Sequence, residues 1–105
     1  MLAKKDIRNI VDLIKSRVNP KQIYLFGSYA AGKETKTSDL DLLIVDDSGR
    51  NKNALALEIS QMLFPRSYGL DVIVTSPEDL QKKKQQRLMF WLDILEKGKK
   101  YYERS

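Results

Sequence analysis

The chain has no cysteine and no histidine among its 105 residues. Without cysteine there is no disulfide framework and no thiol nucleophile, and without either residue the usual ligands of a zinc site are missing. Catalytic triads that use histidine as the base are excluded as well. Any chemistry must therefore use carboxylates, hydroxyls, lysine and arginine side chains, and the backbone.

Long hydrophobic segments are also missing, since the longest uninterrupted apolar runs have about four residues. The first residues lead into an amphipathic segment, so the sequence predicts neither a signal peptide nor a transmembrane helix. We therefore expect a cytoplasmic protein without a membrane partner. The length predicts one small globular domain over residues 1–105.

The net charge of +5 is concentrated near the C-terminus. Residues 81–105 contain eight basic and three acidic side chains, whereas basic and acidic residues balance over 1–80. The segment 33–47 is locally acidic, with Glu34, Asp39, Asp41, Asp46 and Asp47. An acidic site beside a basic segment is suited to a metal ion and an anion.

Hydrophobic periodicity predicts six elements in the order helix, strand, strand, helix, strand, helix. The helices are predicted over 3–18, over 51–64 and from 77 to about 97, and the strands over 23–26, 39–45 and 69–74. This order predicts an α/β (α+β) domain with a three-stranded mixed sheet and helices packed mainly on one face.

Three aspartates interrupt the predicted strands. Asp39 and Asp41 lie two residues apart, so their carboxylates should project from one face of the sheet. Asp71 lies within an otherwise apolar strand and would complete a cluster of three carboxylates if the two strands are neighbours. Such a cluster is suited to Mg²⁺, which prefers oxygen ligands. The alternative is that all three are solvent-facing residues at strand ends or on an edge strand.

Gly27 and Ser28 directly follow the first predicted strand. Backbone N–H groups and a hydroxyl at the start of a turn or short helix form a geometry that binds phosphate oxygens. A plain turn is the alternative interpretation, because a glycine and a serine are common where strands end.

Taken together, these features resemble the nucleotidyltransferase superfamily of the DNA polymerase beta type, and most closely its minimal nucleotidyltransferase branch. The resemblance is carried by Phe26-Gly27-Ser28-Tyr29-Ala30-Ala31-Gly32, by Ser38-Asp39-Leu40-Asp41-Leu42 and by the later Asp71. It implies that Asp39, Asp41 and Asp71 are catalytic and hold two Mg²⁺ ions, one of which arrives with the nucleotide. It also implies nucleotide binding by Gly27, Ser28, Lys33 and Ser38.

The chain departs from the family pattern at two positions. Tyr29 and Ala31 stand where family members often have arginine, whose cations help to hold the triphosphate. Lys33 or Lys36 would then have to supply positive charge, although an ammonium does not reproduce a bidentate guanidinium.

The resemblance further implies a function. Members of this branch are typically paired with a helical HEPN-type protein, often as antitoxin and toxin. We therefore expect transfer of AMP from ATP to a hydroxyl on such a partner. The alternative is a catalytically weak or inactive subunit that neutralises the partner by binding it. An RNA-binding module ranks last, because Lys82-Lys83-Lys84 with Arg87 is typical of a solvated helix face.

Aromatic residues near the C-terminus point to association. Phe90, Trp91, Tyr101 and Tyr102 present more aromatic surface than a core of this size is expected to bury. A helical partner, or a second copy of the chain, would cover them.

Overall fold

The computed structural model describes all 105 residues, which form five helices and four strands. In chain order these are α1 (Lys4–Val18), β1 (Gln22–Phe26), α2 (Gly27–Ala31), β2 (Leu40–Val45), α3 (Lys52–Met62), β3 (Leu70–Thr75), α4 (Pro77–Gln85), α5 (Met89–Lys97) and β4 (Lys99–Glu103). None of the helices is long and apolar enough to cross a membrane.

Local sequence signals set several of these boundaries. At the start of α1 the Asp6 carboxylate accepts a hydrogen bond of 2.8 Å from the Ala3 backbone N–H, and α1 ends at Asn19, which adopts a left-handed conformation. At the start of α4 the Ser76 hydroxyl accepts a hydrogen bond of 3.1 Å from the Asp79 N–H. Both helices therefore begin within one residue of the predicted positions.

The sheet is mixed, as predicted, but it has four strands rather than three. The strand order is β3-β2-β1-β4, with β1 antiparallel to both β2 and β4, and with β2 parallel to β3. The strand that the prediction omits, β4, has the sequence Lys-Lys-Tyr-Tyr-Glu and pairs with β1 along one edge of the sheet. An edge strand with half-exposed side chains lacks the apolar run that identifies a buried strand.

Helices cover both faces of the sheet, not mainly one. On the first face α1, α2 and α3 pack against the side chains of Ile23, Leu25, Leu40, Leu42 and Ile44. On the second face Leu80 of α4 and Ile94 of α5 pack against Tyr24, Leu43 and Val45. Successive strand residues point to opposite faces of the sheet. The apolar run at the end of β2 therefore contributes side chains to the hydrophobic clusters on both faces.

The predicted last helix is divided into α4 and α5. Arg87 has a positive φ of 56° at the junction, which reverses the chain direction. The polar residues 81–86 give a continuous helix nothing to bury, so the chain turns and brings Ile94 back to the sheet.

The aromatic residues near the C-terminus are divided as well. Tyr101 and Tyr102 belong to β4 and pack against the larger core, with the Arg8 guanidinium 4.7 Å from the centroid of the Tyr101 ring. The chain itself therefore covers part of the surface of these two tyrosines, and both remain half-buried. Phe90, by contrast, remains exposed.

Candidate active site

Asp41 and Asp71 lie side by side on neighbouring strands. They are register partners in the parallel pair of β2 and β3, so their side chains point to the same face of the sheet. On the other side of Asp41, its partner in β1 is Phe26. The order Phe26, Asp41, Asp71 thus forms one transverse row, on the face that also carries α4 and α5.

Asp39 adds a third negative charge to this row. Burial, followed by the charges of Asp71 and Asp39, raises the pKa of Asp41 from 3.8 to about 6. The electrostatic effect of both neighbours on Asp41 indicates that the three carboxylates share one region. Their mutual repulsion is unfavourable in the absence of a cation.

Two glycines allow the backbone to approach these carboxylates closely. A Cβ atom on Gly27 would overlap the Asp41 carboxylate, and one on Gly69 would overlap the Asp39 carboxylate. Gly27 also has a positive φ of 74°, a conformation that favours glycine. The residue that begins α2 is thus in direct contact with the carboxylate row.

The structure places the other predicted nucleotide-binding residues on or after α2. Ser28 follows Gly27 in the first turn of α2, whereas Lys33 lies beyond its end, where the Lys33 N–H donates to the Ser28 carbonyl at 3.0 Å. The Ser38 hydroxyl accepts a hydrogen bond of 2.8 Å from the Thr35 N–H and orders the loop before Asp39. Of the predicted nucleotide-binding residues, Gly27 is thus the one whose contact with the carboxylate row is direct.

Tyr29 and Ala31 face different surroundings. Tyr29 is buried in the larger core, and its hydroxyl accepts a hydrogen bond of 3.0 Å from the Leu2 N–H. Ala31 is exposed and lines a cavity between α2 and α5. The Tyr29 side chain is therefore directed towards the segment before α1.

The carboxylate row fits Mg²⁺ only in part. No group of three carboxylates in the structure is arranged to hold a metal ion by itself. The donor set of carboxylate oxygens, the shared face and the raised pKa of Asp41 nevertheless suit a hard cation that would relieve the repulsion. Mg²⁺ commonly takes only one or two carboxylates and completes its coordination with substrate phosphates and water. The row is therefore compatible with an ion that binds together with a nucleotide.

The sequence did not predict the cluster of aromatic side chains that lies beside the carboxylate row. The Phe26 ring packs edge-to-face against Phe90, with centroids 6.0 Å apart, and Phe90 packs in the same way against Trp91 at 5.5 Å. The sequence does place Phe26 directly before Gly27, at the end of a strand whose side chains alternate between the two faces of the sheet. That position was the available signal for an aromatic residue beside the site.

The mixed four-stranded sheet, with Asp39 directly before β2, Asp41 on β2, Asp71 on β3 and a glycine and serine after β1, has the nucleotidyltransferase fold. The sequence profile of the family described as "Polymerase beta, Nucleotidyltransferase" matches residues 8–105. The chain belongs to this family, and the resemblance to its minimal nucleotidyltransferase branch is confirmed.

Two related proteins of Methanocaldococcus jannaschii are both named "Putative protein adenylyltransferase". The first is 33% identical over 105 residues, which cover 97% of this chain and 100% of that protein. The second is 39% identical over 44 residues, which cover 42% of this chain and 44% of that protein. Similarity to the first therefore extends over almost the whole chain.

Solved structures share the fold at low sequence identity. A crystal structure described as a putative nucleotidyltransferase from Sulfolobus solfataricus is 22% identical, with a TM-score of 0.59 over 93% of this chain and 78% of that one. A toxin-antitoxin crystal structure with AMP-PNP is 19% identical, with a TM-score of 0.62 over 93% of this chain and 74% of that one. A mutant of the toxin-antitoxin MntA-HpeT is 18% identical, with a TM-score of 0.62 over 92% and 73%.

Proposed function

We propose that this protein transfers AMP from ATP to a hydroxyl group on a helical partner protein of the HEPN type, and that it acts as the antitoxin of a toxin-antitoxin pair. The observation that carries the proposal is the row of Asp41 and Asp71 in register, with Gly27 in contact with Asp41. The names of the two M. jannaschii relatives and of the toxin-antitoxin structures support the choice of reaction and partner.

Different residues of the site would bind the nucleotide and the metal ion. Gly27 and Ser28 would hold the β- and γ-phosphates, with Lys33 and Ser38 as further nucleotide-binding residues, and the α-phosphate would lie beside Asp41. Asp39, Asp41 and Asp71 are the residues that would hold Mg²⁺, which supplies neutralisation of charge on the phosphate oxygens when bound. Positioning and charge neutralisation are the main demands of phosphoryl-type transfer.

In the reaction the acceptor oxygen forms a bond to the α-phosphorus. The bond from that phosphorus to the oxygen that bridges to the β-phosphate breaks, and pyrophosphate leaves. The proton of the hydroxyl passes to the Asp71 carboxylate, which is exposed at the end of the row and accessible to an incoming acceptor. No histidine or cysteine is required for any of these events.

A binding role without catalysis is the second candidate, and the surroundings of Tyr29 favour it. A tyrosine carries no positive charge in place of the arginine, and since this side chain is buried and hydrogen-bonded to Leu2, its hydroxyl does not face a triphosphate either. If nucleotide affinity is correspondingly low, the protein would neutralise its partner by forming a complex with it.

The test is incubation of the protein with ATP, Mg²⁺ and the product of the neighbouring gene, which the proposal expects to be helical, followed by intact-mass analysis of that product. We expect one added adenylyl group with the native protein, none with Asp39→Asn, and none when the metal is chelated. Asp12→Asn, which alters an exposed aspartate on α1, is the matched control and should leave transfer unchanged. A stable complex without an adduct from the native protein would support the binding role and contradict the enzymatic one.

A further inference from the structure

The corner between α4 and α5 exposes three consecutive large apolar side chains. Leu88, Met89 and Phe90 retain 42%, 69% and 50% of their accessible surface. Single exposed apolar residues are ordinary on protein surfaces, but three together at a sharp turn form a contiguous patch. We refer to these three residues as the apolar corner.

The apolar corner is continuous with the carboxylate row. Phe90 packs on Phe26, and Phe26 is the partner of Asp41 across β1 and β2. A protein segment that covers the corner would therefore lie beside the carboxylates that the proposed reaction uses.

A cavity next to the apolar corner has room for an apolar side chain of a partner protein. It has a volume of about 440 Å³ between α2 and α5, and its lining includes Phe26, Gly27, Ala31, Phe90 and Ile94. The two charged residues of the lining, Asp93 and Lys97, form an ion pair of 3.8 Å. The volume is within the range of about 300–1,000 Å³ that is typical of ligand pockets. Interface residues that contribute most to binding commonly fill such desolvated pockets.

The nucleotide itself is not suited to this cavity if it binds as proposed. Gly27 adjoins the cavity and also contacts Asp41, whereas no residue of β2 or β3 lines the cavity. With its terminal phosphates at Gly27 and its α-phosphate beside Asp41, ATP would run from β1 towards β2 and β3. Its base would then be carried away from the cavity.

The helix that leads into the corner is positively charged. Lys82, Lys84 and Arg87 are exposed and form no intramolecular ion pair, while the Lys83 ammonium lies 4.8 Å from the centroid of the Trp91 ring. Unpaired charges of one sign around an apolar patch favour a partner with the opposite charge.

We propose that the apolar corner, the cavity beside it and the cations of α4 form the docking surface for the acceptor protein. The docking segment would carry an apolar or aromatic side chain flanked by carboxylates. This inference rests on the proposed function, because it assigns a place to the protein acceptor of that reaction.

The test uses amide NMR spectra of the isotope-labelled full chain, titrated with a synthetic peptide. The probe is Glu-Asp-Glu-Leu-Tyr-Glu-Asp-Glu, and the control peptides replace Leu-Tyr with Ser-Ser or all acidic residues with lysine. We expect the probe to shift the amide signals of residues 82–91 and of Ala31, with the Ser-Ser peptide weaker by about fivefold or more. The lysine peptide should leave these signals unchanged.

Matched variants separate the two parts of the surface. Met89→Ser should weaken probe binding by about fivefold, whereas Leu57→Ser, at an exposed apolar position of α3, should not. Lys82→Glu with Lys84→Glu should weaken binding and reduce its salt dependence, and Lys4→Glu with Lys5→Glu on α1 should not. All six altered positions are exposed, and circular dichroism checks that each of the four variants folds.

Four results would overturn the inference. One is equal binding of the probe and the Ser-Ser peptide, and another is a probe that binds without shifting the signals of residues 82–91. The third is an ATP titration in which Ala31 and Ile94 shift and Phe90→Ala weakens ATP binding, which would make the cavity a base-binding site. A single-stranded RNA that binds α4 more tightly than the probe would likewise contradict a protein acceptor.

Asp39→Asn distinguishes a failure of this inference from a failure of the proposed function. The variant keeps the docking surface, so we expect it to bind the probe like the native protein while losing transfer. If AMP transfer from ATP to the partner is observed but the probe result fails, only the docking surface is wrong.

Discussion

Gly27 is in such close contact with Asp41 that the space beside its Cα is filled by the Asp41 carboxylate. The strand β1 therefore ends with its backbone against the central carboxylate of the row. A glycine is required there for two reasons, since its φ of 74° is also unfavourable for other residues.

Gly27→Ala should both destabilise the fold and abolish transfer. The positive φ alone costs about 1–2 kcal/mol for a residue with a side chain, and displacement of Asp41 adds to this. Gly32→Ala is the matched control, because Gly32 has a φ of 71° but open space around its Cα. Urea unfolding of both variants would isolate the contact with Asp41, and equal losses of stability would show that the contact has no energetic effect.

Asp41→Asn should make the metal-free protein more stable at neutral pH. The native pKa of about 6 exceeds the ordinary value of 3.8, so the folded state binds this proton more readily than the unfolded state. The stability of the native protein should therefore fall as the pH rises from about 4 to about 6, and this part of the dependence should be absent from the variant. Thermal unfolding across this range without Mg²⁺ measures the effect.

The control for this experiment is Asp93→Asn, at an exposed position on α5. It should retain the native pH dependence. Parallel curves for the native protein and Asp41→Asn would contradict the raised pKa.

Tyr29→Phe should lower stability without changing ATP affinity. The substitution removes the hydrogen bond that the Tyr29 hydroxyl accepts from the Leu2 N–H, at a cost of about 0.5–1.5 kcal/mol. Ser28→Ala, one residue earlier, should have the opposite profile, with weaker ATP binding and little loss of stability. Calorimetric titration with ATP and chemical unfolding would distinguish the two, and weaker ATP binding by Tyr29→Phe would show that the ring acts at the nucleotide site.

Arg50→Met should destabilise the fold because it leaves a buried carboxylate without its cation. Asp46 is buried and accepts hydrogen bonds from Arg50 at 3.0 Å and from the Ser48 hydroxyl at 2.6 Å. Loss of one such partner typically costs about 1–3 kcal/mol. The double variant with Asp46→Asn should recover part of the stability in urea unfolding. If the second substitution adds a further loss, the uncompensated charge is not the cause.

The sequence predicted the placement of Asp41 and Asp71 on neighbouring strands better than it predicted the periphery of the fold. The neighbouring positions of Asp41 and Asp71 follow from two apolar strands that each contain an isolated aspartate, and a parallel pair brings such residues into register. The strand β4 was missed because its pairing with Gln22–Leu25 depends on contacts that are distant in sequence. Local propensity and periodicity do not report such pairing.

The division of the last helix was missed for a similar reason. Residues 77–97 contain no proline or glycine after Pro77 that would mark a break, and Arg87 supplies the positive φ instead. The turn is favoured because it allows Ile94 to pack on Tyr24 and Leu43. This tertiary gain overrides the local preference of arginine for a helical conformation.

The position of Asp71 on β3 has a consequence for solubility. Because β3 has a hydrogen-bonded neighbour only on the β2 side, its outer edge presents unpaired backbone groups that another strand could join. A charged side chain on such an edge opposes the stacking of copies, since like charges would be brought together between the added strands. Replacing Asp71 with valine would thus leave the continuous sequence Leu-Val-Val-Ile-Val on a free edge. The carboxylate that we propose for the reaction would thus also oppose the assembly of copies into fibres along this edge.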